Sequence, residues 1–372
     1  MPTKVYSNGS TYTGELLNGM RHGVGYNVTK DGNTYDGEWQ NDKPHGTGVY
    51  TYAEGDCYVG QFENGLPSGK GKMEYSDGSV YDGEWQAGVW HGVGEHTRMN
   101  GDVFSGSFAE GEFVSGTLTL KSGDIYAGEF KDWRINGKGT LKTTRGLYYK
   151  GEFKDGSPHG HGSVKYASGD TYVGEMENGK KHGKGFYTFK SGGTYDGEFR
   201  NDKIDGFGTE TMEGGDKFIG YRVNGHRSGK GTYIHSNGSR YEGDYKDGVP
   251  NGKGTYFYHD GDKYEGDFHD GYRHGYGVYT HKSGSVYRGE YKNGLPNGKG
   301  RYDYSSGSSY EGEFKNGVRE GVGVYTFYDG ERYEGEFKDG KYHGKGVLYY
   351  PNGSIKKQGY WRNDVYVGEG ES

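Results

Sequence analysis

The sequence predicts an all-β protein, an elongated single-layer antiparallel meander that forms a solenoid of β-hairpins from about 15 repeats of 23 residues. Three observations predict it. An aromatic-x-Gly-Glu-aromatic phrase, followed by Gly-x-x-x-Gly-x-Gly, returns at Tyr12, Tyr35, Tyr58, Tyr81, Phe104, Tyr126, Tyr149, Tyr172, Tyr195, Phe218, Tyr241, Tyr264, Tyr287, Tyr310 and Tyr333. Within each copy apolar and small residues alternate with charged ones at period two, which is the strand period. Short Gly-, Asn- and Ser-rich links leave no room for helical crossovers, and a fixed period in this range marks stacked units that bury their faces against one another.

The copy starting at Tyr287 shows how each element is justified. Tyr287/Gly289/Tyr291 and Gly298/Gly300/Tyr302/Tyr304 alternate as two strands, and Asn293-Gly294-Leu295-Pro296-Asn297 between them has turn chemistry. A symmetric hairpin would pair Tyr291 with Gly298, Glu290 with Lys299, Gly289 with Gly300, and Tyr287 with Tyr302. The same register sets Glu129 against Lys138, Glu175 against Lys184, Asp244 against Lys253, and Glu336 against Lys345. One face then carries rings spaced by glycines and the other carries charge. Gly307 and Gly330 are expected to supply positive φ in turns, whereas Gly289 and Gly300 make space for rings. Thirty such strands at ~4.8 Å each would extend roughly 145 Å.

By this reading residues 1–11 are a partial N-terminal capping strand, 12–355 the repeat array, and 356–372 a degenerate last repeat and tail. The array is irregular at 104–148, where the spacing drops by one residue, the Gly-x-Gly shrinks to Gly116, and Trp133 takes a turn glycine's place. A bend is expected there. A second irregularity covers 218–225, where Arg222 replaces a ring. The copies from Tyr241 onward keep every glycine and are expected to be the stiffest.

Composition sets the outer bounds. Hydrophobic residues make up only 29%, as in a disordered chain, yet 39 Tyr, 16 Phe and 5 Trp supply a core made of rings. The lone Cys57 excludes an intrachain disulfide and fits a reducing compartment. Met1-Pro2-Thr3-Lys4 lacks a signal or myristoylation pattern, Glu369-Gly370-Glu371-Ser372 lacks a prenylation cysteine, and no apolar run approaches a membrane span. A cytoplasmic location is expected. The net charge of -7, spread along the chain, argues against nucleic-acid binding and weakens attraction to an anionic bilayer. Sequons at Asn8, Asn27, Asn237 and Asn352 are read as products of the turn composition.

The phrases Tyr81-Asp82-Gly83-Glu84-Trp85, Tyr310-Glu311-Gly312-Glu313-Phe314 and Gly344-Lys345-Gly346, repeated over about residues 5–362, resemble the MORN repeat. The resemblance implies an antiparallel sheet of stacked hairpins with an aromatic-lined groove. A chain made only of such repeats is similar to the stand-alone scaffolds of protist cytoskeletons, which implies a homodimer joined near its C-terminal repeats. The family name also records a proposed phospholipid affinity. Departures from the pattern fall at Gly116, Trp133 and Arg222.

Apparent chemistry in the repeats reads as architecture. Histidines before a repeat glycine, at His22, His45, His91, His159, His182, His274 and His343, fall one per hairpin, too far apart for successive ones to share a metal. The ladder Glu152, Glu175, Glu198, Glu290, Glu313 and Glu336 recurs uniformly on the charged face, whereas an active site needs a unique enclosed constellation. Gly-x-Gly lacks the strand-to-helix context of a phosphate loop. No catalytic residue, metal or cofactor is therefore expected, and Cys57 is read as a strand residue.

The rings are harder to account for within one chain, since a single-layer sheet has no second layer to cover them. Tyr241, Tyr245, Tyr264, Phe268, Tyr287, Tyr291, Tyr310, Phe314, Tyr333 and Phe337 are the expected groove and dimer residues. The expected function is a non-catalytic scaffold that dimerises through its C-terminal repeats and organises cytoskeletal proteins along the groove. The alternative is a peripheral phosphoinositide-binding tether between membrane and cytoskeleton, with weak phospholipid binding also compatible with the scaffold.

Overall fold

The computed structural model describes residues 3–370 as 33 β-strands, with no helix among them. Met1, Pro2, Glu371 and Ser372, on which the expectations for the extreme termini partly rest, lie outside the described residues. The strands belong to two units, one reaching Gly183 and the other beginning at Lys184. In each unit, hairpins of a seven-residue strand and a nine-residue return strand pair antiparallel in sequence order, so both are single-layer meanders as the alternation predicts. At the beginning of the first unit Thr3–Val5 pairs with Thr11–Leu17. The second unit ends with Ile355–Arg362 and the short Val365–Gly368.

The repeat is built around its first tyrosine. The Tyr287 ring folds back across its own hairpin, and its hydroxyl donates to the Glu290 carbonyl at 3.0 Å. Beneath it lie Gly289 and Gly300, which pair with each other across the strands. A Cβ on Gly289 would stand 2.5 Å from the tyrosine oxygen, and one on Gly300 2.7 Å from two ring carbons. These glycines therefore exist to seat the ring, while Gly307 and Gly330, at φ of 92° and 88°, serve turns. Burial of the Tyr287 hydroxyl raises its pKa, and the nearby Glu290 charge adds to the effect.

The hairpin register differs from the symmetric expectation. Tyr287↔Tyr302 and Gly289↔Gly300 hold, but beyond them the pairing jumps to Tyr291↔Pro296 and Lys292↔Leu295. The turn is only Asn293-Gly294, at φ of 51° and 86°, the two-residue form whose twist matches that of the strands. The residues left over form a bulge in the return strand around Gly298. The expected Glu290–Lys299 pairing is lost, and Lys299 lies instead opposite Glu313 of the next hairpin. Likewise Lys138 pairs with Glu152, and Lys253 with Asp267, where Nζ is 2.6 Å from the carboxylate.

The repeat carboxylate has a different task, which is to clasp the bulge. Glu336 accepts the Lys345 N–H at 3.1 Å, Asp244 the Lys253 N–H at 3.1 Å, and Glu38 both the N–H and the hydroxyl of Thr47 at 3.0 and 2.7 Å. Those Thr47 bonds lower the Glu38 pKa. Reading the Glu ladder as only a solvated face missed this use.

At 104–148 the pairing continues without a gap. The shorter repeat has a smaller bulge, stepping from Ser107↔Ser115 to Phe108↔Phe113. Phe113 is fully buried against the Gly106/Gly116 pair, taking over the seat that a repeat's first ring holds elsewhere. Trp133 accepts a φ of 60° in place of glycine, and its ring packs 5.4 Å from Phe104 and 5.8 Å from His96.

Candidate functional site

In the second unit the ring-bearing face has two tiers. The lower tier contains every ring expected to line a groove. Tyr241, Tyr245, Tyr264, Phe268, Tyr287, Tyr291, Tyr310, Phe314, Tyr333 and Phe337 are all buried, at 0–7% exposure. They cover one another. Tyr287 meets Tyr291 of its own repeat at 5.2 Å and Phe314 of the next at 5.0 Å, both edge-on, and Tyr264 meets Tyr291 in the same way at 5.1 Å. Such contacts add to the burial each ring already contributes, so a single layer closes most of its own core.

The upper tier, on the return strands and the links after them, is what this face offers to solvent. Tyr233, Tyr256, Tyr258, Tyr279, Tyr302, Tyr304 and Tyr325 are only partly buried against the lower rings. They run on as a row, with Tyr256–Tyr258 at 4.5 Å, Tyr258–Tyr279 at 5.6 Å, Tyr302–Tyr304 at 4.4 Å and Tyr304–Tyr325 at 6.0 Å. Two are held by acids: Tyr233 donates to Asp216 and Tyr279 to Asp262, each at 2.7 Å. A concavity of about 210 Å³ opens among Arg227, Tyr233, His235, Tyr256 and Phe268.

Cations are inserted among these rings, and the sequence reading missed them. Directly after the hairpin turn, alternate repeats carry Arg227, Arg273 and Arg319, with Pro250 and Pro296 in the intervening copies. The Arg273 guanidinium lies 5.2 Å from the Tyr279 ring centre and 5.3 Å from that of Tyr291, and Arg319 lies 5.1 Å from Tyr325 and 5.5 Å from Phe337. The signal was present, but it has a period of two repeats and is invisible when copies are compared singly. Arg222, noted as an interruption, forms a half-buried cluster in which it and Arg227 share Glu210.

On the opposite face a shallow concavity is lined by exposed Tyr276 and Val322 together with Arg288, Lys299, Arg301 and Glu311. Its arginines are already paired: Arg288 and Arg301 reach Asp303 at 2.8 and 2.9 Å, and Arg301 reaches Glu311 at 3.1 Å. Among the described residues no group of three or more His, Cys, Asp or Glu is placed to hold a metal ion. His91 and His343 stand opposite Glu84 and the clasping Glu336, and their backbone carbonyls face the Tyr81 and Tyr333 hydroxyls at 3.4 Å. Cys57 opens a strand, with its sulfur 3.9 Å from Thr51 Oγ1. Asn8, Asn237 and Asn352 accept the N–H groups of Ser10, Ser239 and Ser354 at 3.1, 2.9 and 3.0 Å and so cap turns.

Among curated proteins none matches this chain. Solved structures that match it include the SAS-4 (dCPAP) TCP domain of Drosophila melanogaster, in complex with a proline-rich motif of Ana2 (dSTIL), at 13% identity, covering 42% of this chain and 85% of that one with a TM-score of 0.28. The TCP10 domain of Danio rerio CPAP is 10% identical, covering 66% and 99% at a TM-score of 0.20, and a streptogramin B lyase is 10% identical, covering 82% and 95% at 0.13. Scores this low carry no argument about function. The family model described as MORN repeat matches fourteen segments, 12–34 through 81–103, 149–171 through 333–355, and 358–371, leaving unmatched chiefly the irregular stretch 104–148. With those matches spread over most of its length, the chain belongs to the MORN-repeat family.

Proposed function

We propose that this protein is a non-catalytic scaffold that holds protein partners on its ring-bearing face. MORN repeats are in general protein- or membrane-binding scaffold modules, and the observation that favours a protein partner here is the upper tier of half-exposed tyrosines. Such rings supply large, rigid, amphipathic contact area at low entropic cost. In our reading the scaffold is cytoplasmic, dimerises through its C-terminal repeats and organises cytoskeletal proteins. The final strands support that dimer contact, because Val365–Gly368 pairs with Tyr360–Arg362 and, among the described residues, leaves the outer edge of Ile355–Lys357 without a strand partner. An open edge of this kind is a template for another chain.

The lipid alternative has less support. Lys356 is engaged by Glu331 and Lys357 lies over Tyr366, so the small basic cluster near the C-terminus is largely occupied. The test is photo-crosslinking in the native cell, with the reactive group placed at Tyr302 or Tyr304 on the ring side and at Val173 on the charged face as control. Cytoskeletal proteins captured from Tyr302 and Tyr304 but not from Val173 would support the scaffold. Capture only from Val173, or of lipid alone, would overturn it.

A further inference from the structure

Arg21 in the first unit and Arg273 in the second occupy the same place in their repeats and make the same bond. Each guanidinium lies against rings and donates to the carbonyl of the second turn residue of the next hairpin, Arg21 to Asp42 at 2.7 Å and Arg273 to Gly294 at 2.6 Å. Arg319 repeats the arrangement with Gly340. The turn side chain makes the difference. Asp42 also brings a carboxylate to 3.3 Å from Arg21 Nε and neutralises it, whereas glycine at 294 and 340 brings none. Among the described residues Arg273 and Arg319 form no ion pair. The acid nearest in sequence on this face, Asp262, is occupied by Tyr279, His281 and the Lys282 N–H, and the equivalent position below Arg319 is Ser308. Arg227 shares its single acid, Glu210, with Arg222, which leaves one excess positive charge there too.

A chain of net charge -7 thus carries three cations in a line on its ring face, each two repeats from the next: Arg273 and Arg319 without an ion-pair partner, and Arg227 sharing one acid with Arg222. Two repeats are four strands, or about 19 Å. That spacing discriminates between anions. A phosphoinositide headgroup or a nucleic-acid backbone concentrates its charge within a few ångströms and is matched by clustered cations. Isolated guanidiniums about 19 Å apart, with tyrosines and prolines between them, match single carboxylates on an extended chain. At 3.1–3.3 Å per residue, about six residues separate successive acids.

Building on the scaffold reading, we propose that the second unit binds an extended acidic peptide segment of a partner, with carboxylates about six residues apart seated on Arg227, Arg273 and Arg319. Its apolar residues lie over the intervening tyrosines, as in aromatic-lined grooves that take preformed extended chains.

Synthetic fourteen-residue proline-rich peptides test this on the full chain by fluorescence anisotropy at 0.15 M salt, with Asp at positions 1, 7 and 13, with the same three Asp at three-residue intervals, or with Asn throughout. The six-residue spacing is expected to bind at least about tenfold more tightly than either control, since each charge-assisted pair contributes about that factor. Arg319→Gln should remove about tenfold for the Asp peptide and nothing for the Asn peptide. Gly294→Asp provides a second variant that keeps every arginine. It copies the Asp42 turn into a site with no atom closer than 3.9 Å to the new Cβ, at a left-handed φ of 86° close to the 65° that Asp42 itself adopts, and it should weaken binding by supplying Arg273 with an internal carboxylate. Equal affinity for all three peptides, indifference to both variants, or no peptide binding while phosphoinositide vesicles bind through Arg319 would each overturn the proposal. Ring-face crosslinks to cytoskeletal proteins beside a flat peptide series would remove this inference and leave the scaffold standing.

Discussion

Replacing Gly300 by alanine tests the central claim about the fold, that a tyrosine seated on a glycine pair organises each repeat. Gly300 has no left-handed φ to protect, so a methyl group there acts only through space. Its carbon would lie 2.7 Å from Cε2 and Cζ of Tyr287 and closer still to the hydroxyl oxygen. The ring cannot tilt away freely, because Tyr291 and Phe314 hold it edge-on at 5.2 and 5.0 Å. Overpacking a filled site costs about 1–3 kcal/mol, and displacing the hydroxyl from the Glu290 carbonyl adds about 1 kcal/mol. A loss of about 3 kcal/mol is expected, confined to neighbouring repeats because solenoid stability is mainly nearest-neighbour. Native-state hydrogen exchange reads it directly: protection should fall across 264–332 and stay unchanged across 12–80. Gly284→Ala is the comparison, since Gly284 has φ of 93° and nothing within 4 Å of its Cβ, so only about 1 kcal/mol of backbone strain is expected. A Gly300→Ala protein within about 0.5 kcal/mol of wild type, or one less affected than Gly284→Ala, would refute the seating argument.

Other consequences can be measured separately. His96 is buried against Trp90 and Phe104, and burial, reinforced by the Arg98 charge, holds its pKa down to about 4 from the usual 6.5. Both folded and unfolded imidazoles are neutral above about 6.5, so this stabilisation is complete there; as the pH falls toward 4 only the unfolded state takes the proton, and urea titrations should show a loss on the order of 2–3 kcal/mol that His96→Met abolishes. Glu336→Ala removes the acceptor of the Lys345 N–H and should lower local protection at the bulge by about 1 kcal/mol, while Glu336→Gln keeps most of it. Removal of residues 264–372 should leave a folded monomer by light scattering, and a truncated protein that stayed dimeric would move the interface elsewhere. Phosphoinositide liposomes should sediment little of the protein at about 0.15 M salt, and salt-resistant sedimentation would promote the lipid alternative.

The repeat, its strands and the face carrying the rings were legible because alternation and period are carried by single residues. The two reasons for glycine were legible too, since a turn glycine sits among Asn and Ser, and a seat glycine alternates with rings. The bulge was not. Glu290 and Lys299 satisfy a symmetric hairpin on paper, and only the left-handed Asn293-Gly294 turn forces the register to jump and hands Lys299 to Glu313.

The site was harder to read for a related reason. The most regular rings are the most conspicuous in the sequence, and regularity is what core packing demands, so Tyr264, Tyr287 and Tyr310 proved to be inside. What faces outward varies from copy to copy: histidine, tyrosine or phenylalanine on the link after the return strand, arginine or proline after the turn. In a protein assembled from one repeated unit, positions free to break the repeat are those whose neighbours do not depend on them. The two-repeat alternation of Arg227, Arg273 and Arg319 with Pro250 and Pro296 is such a break, and it falls on the side of the sheet where the rings are only half covered. Inside the sheet, arginine there does what proline cannot, donating to the turn carbonyl of the next hairpin, as Arg273 does to Gly294 at 2.6 Å. Under the proposal above, an extended ligand that reads charge about every 19 Å gives the alternation a second cause, outside the repeat.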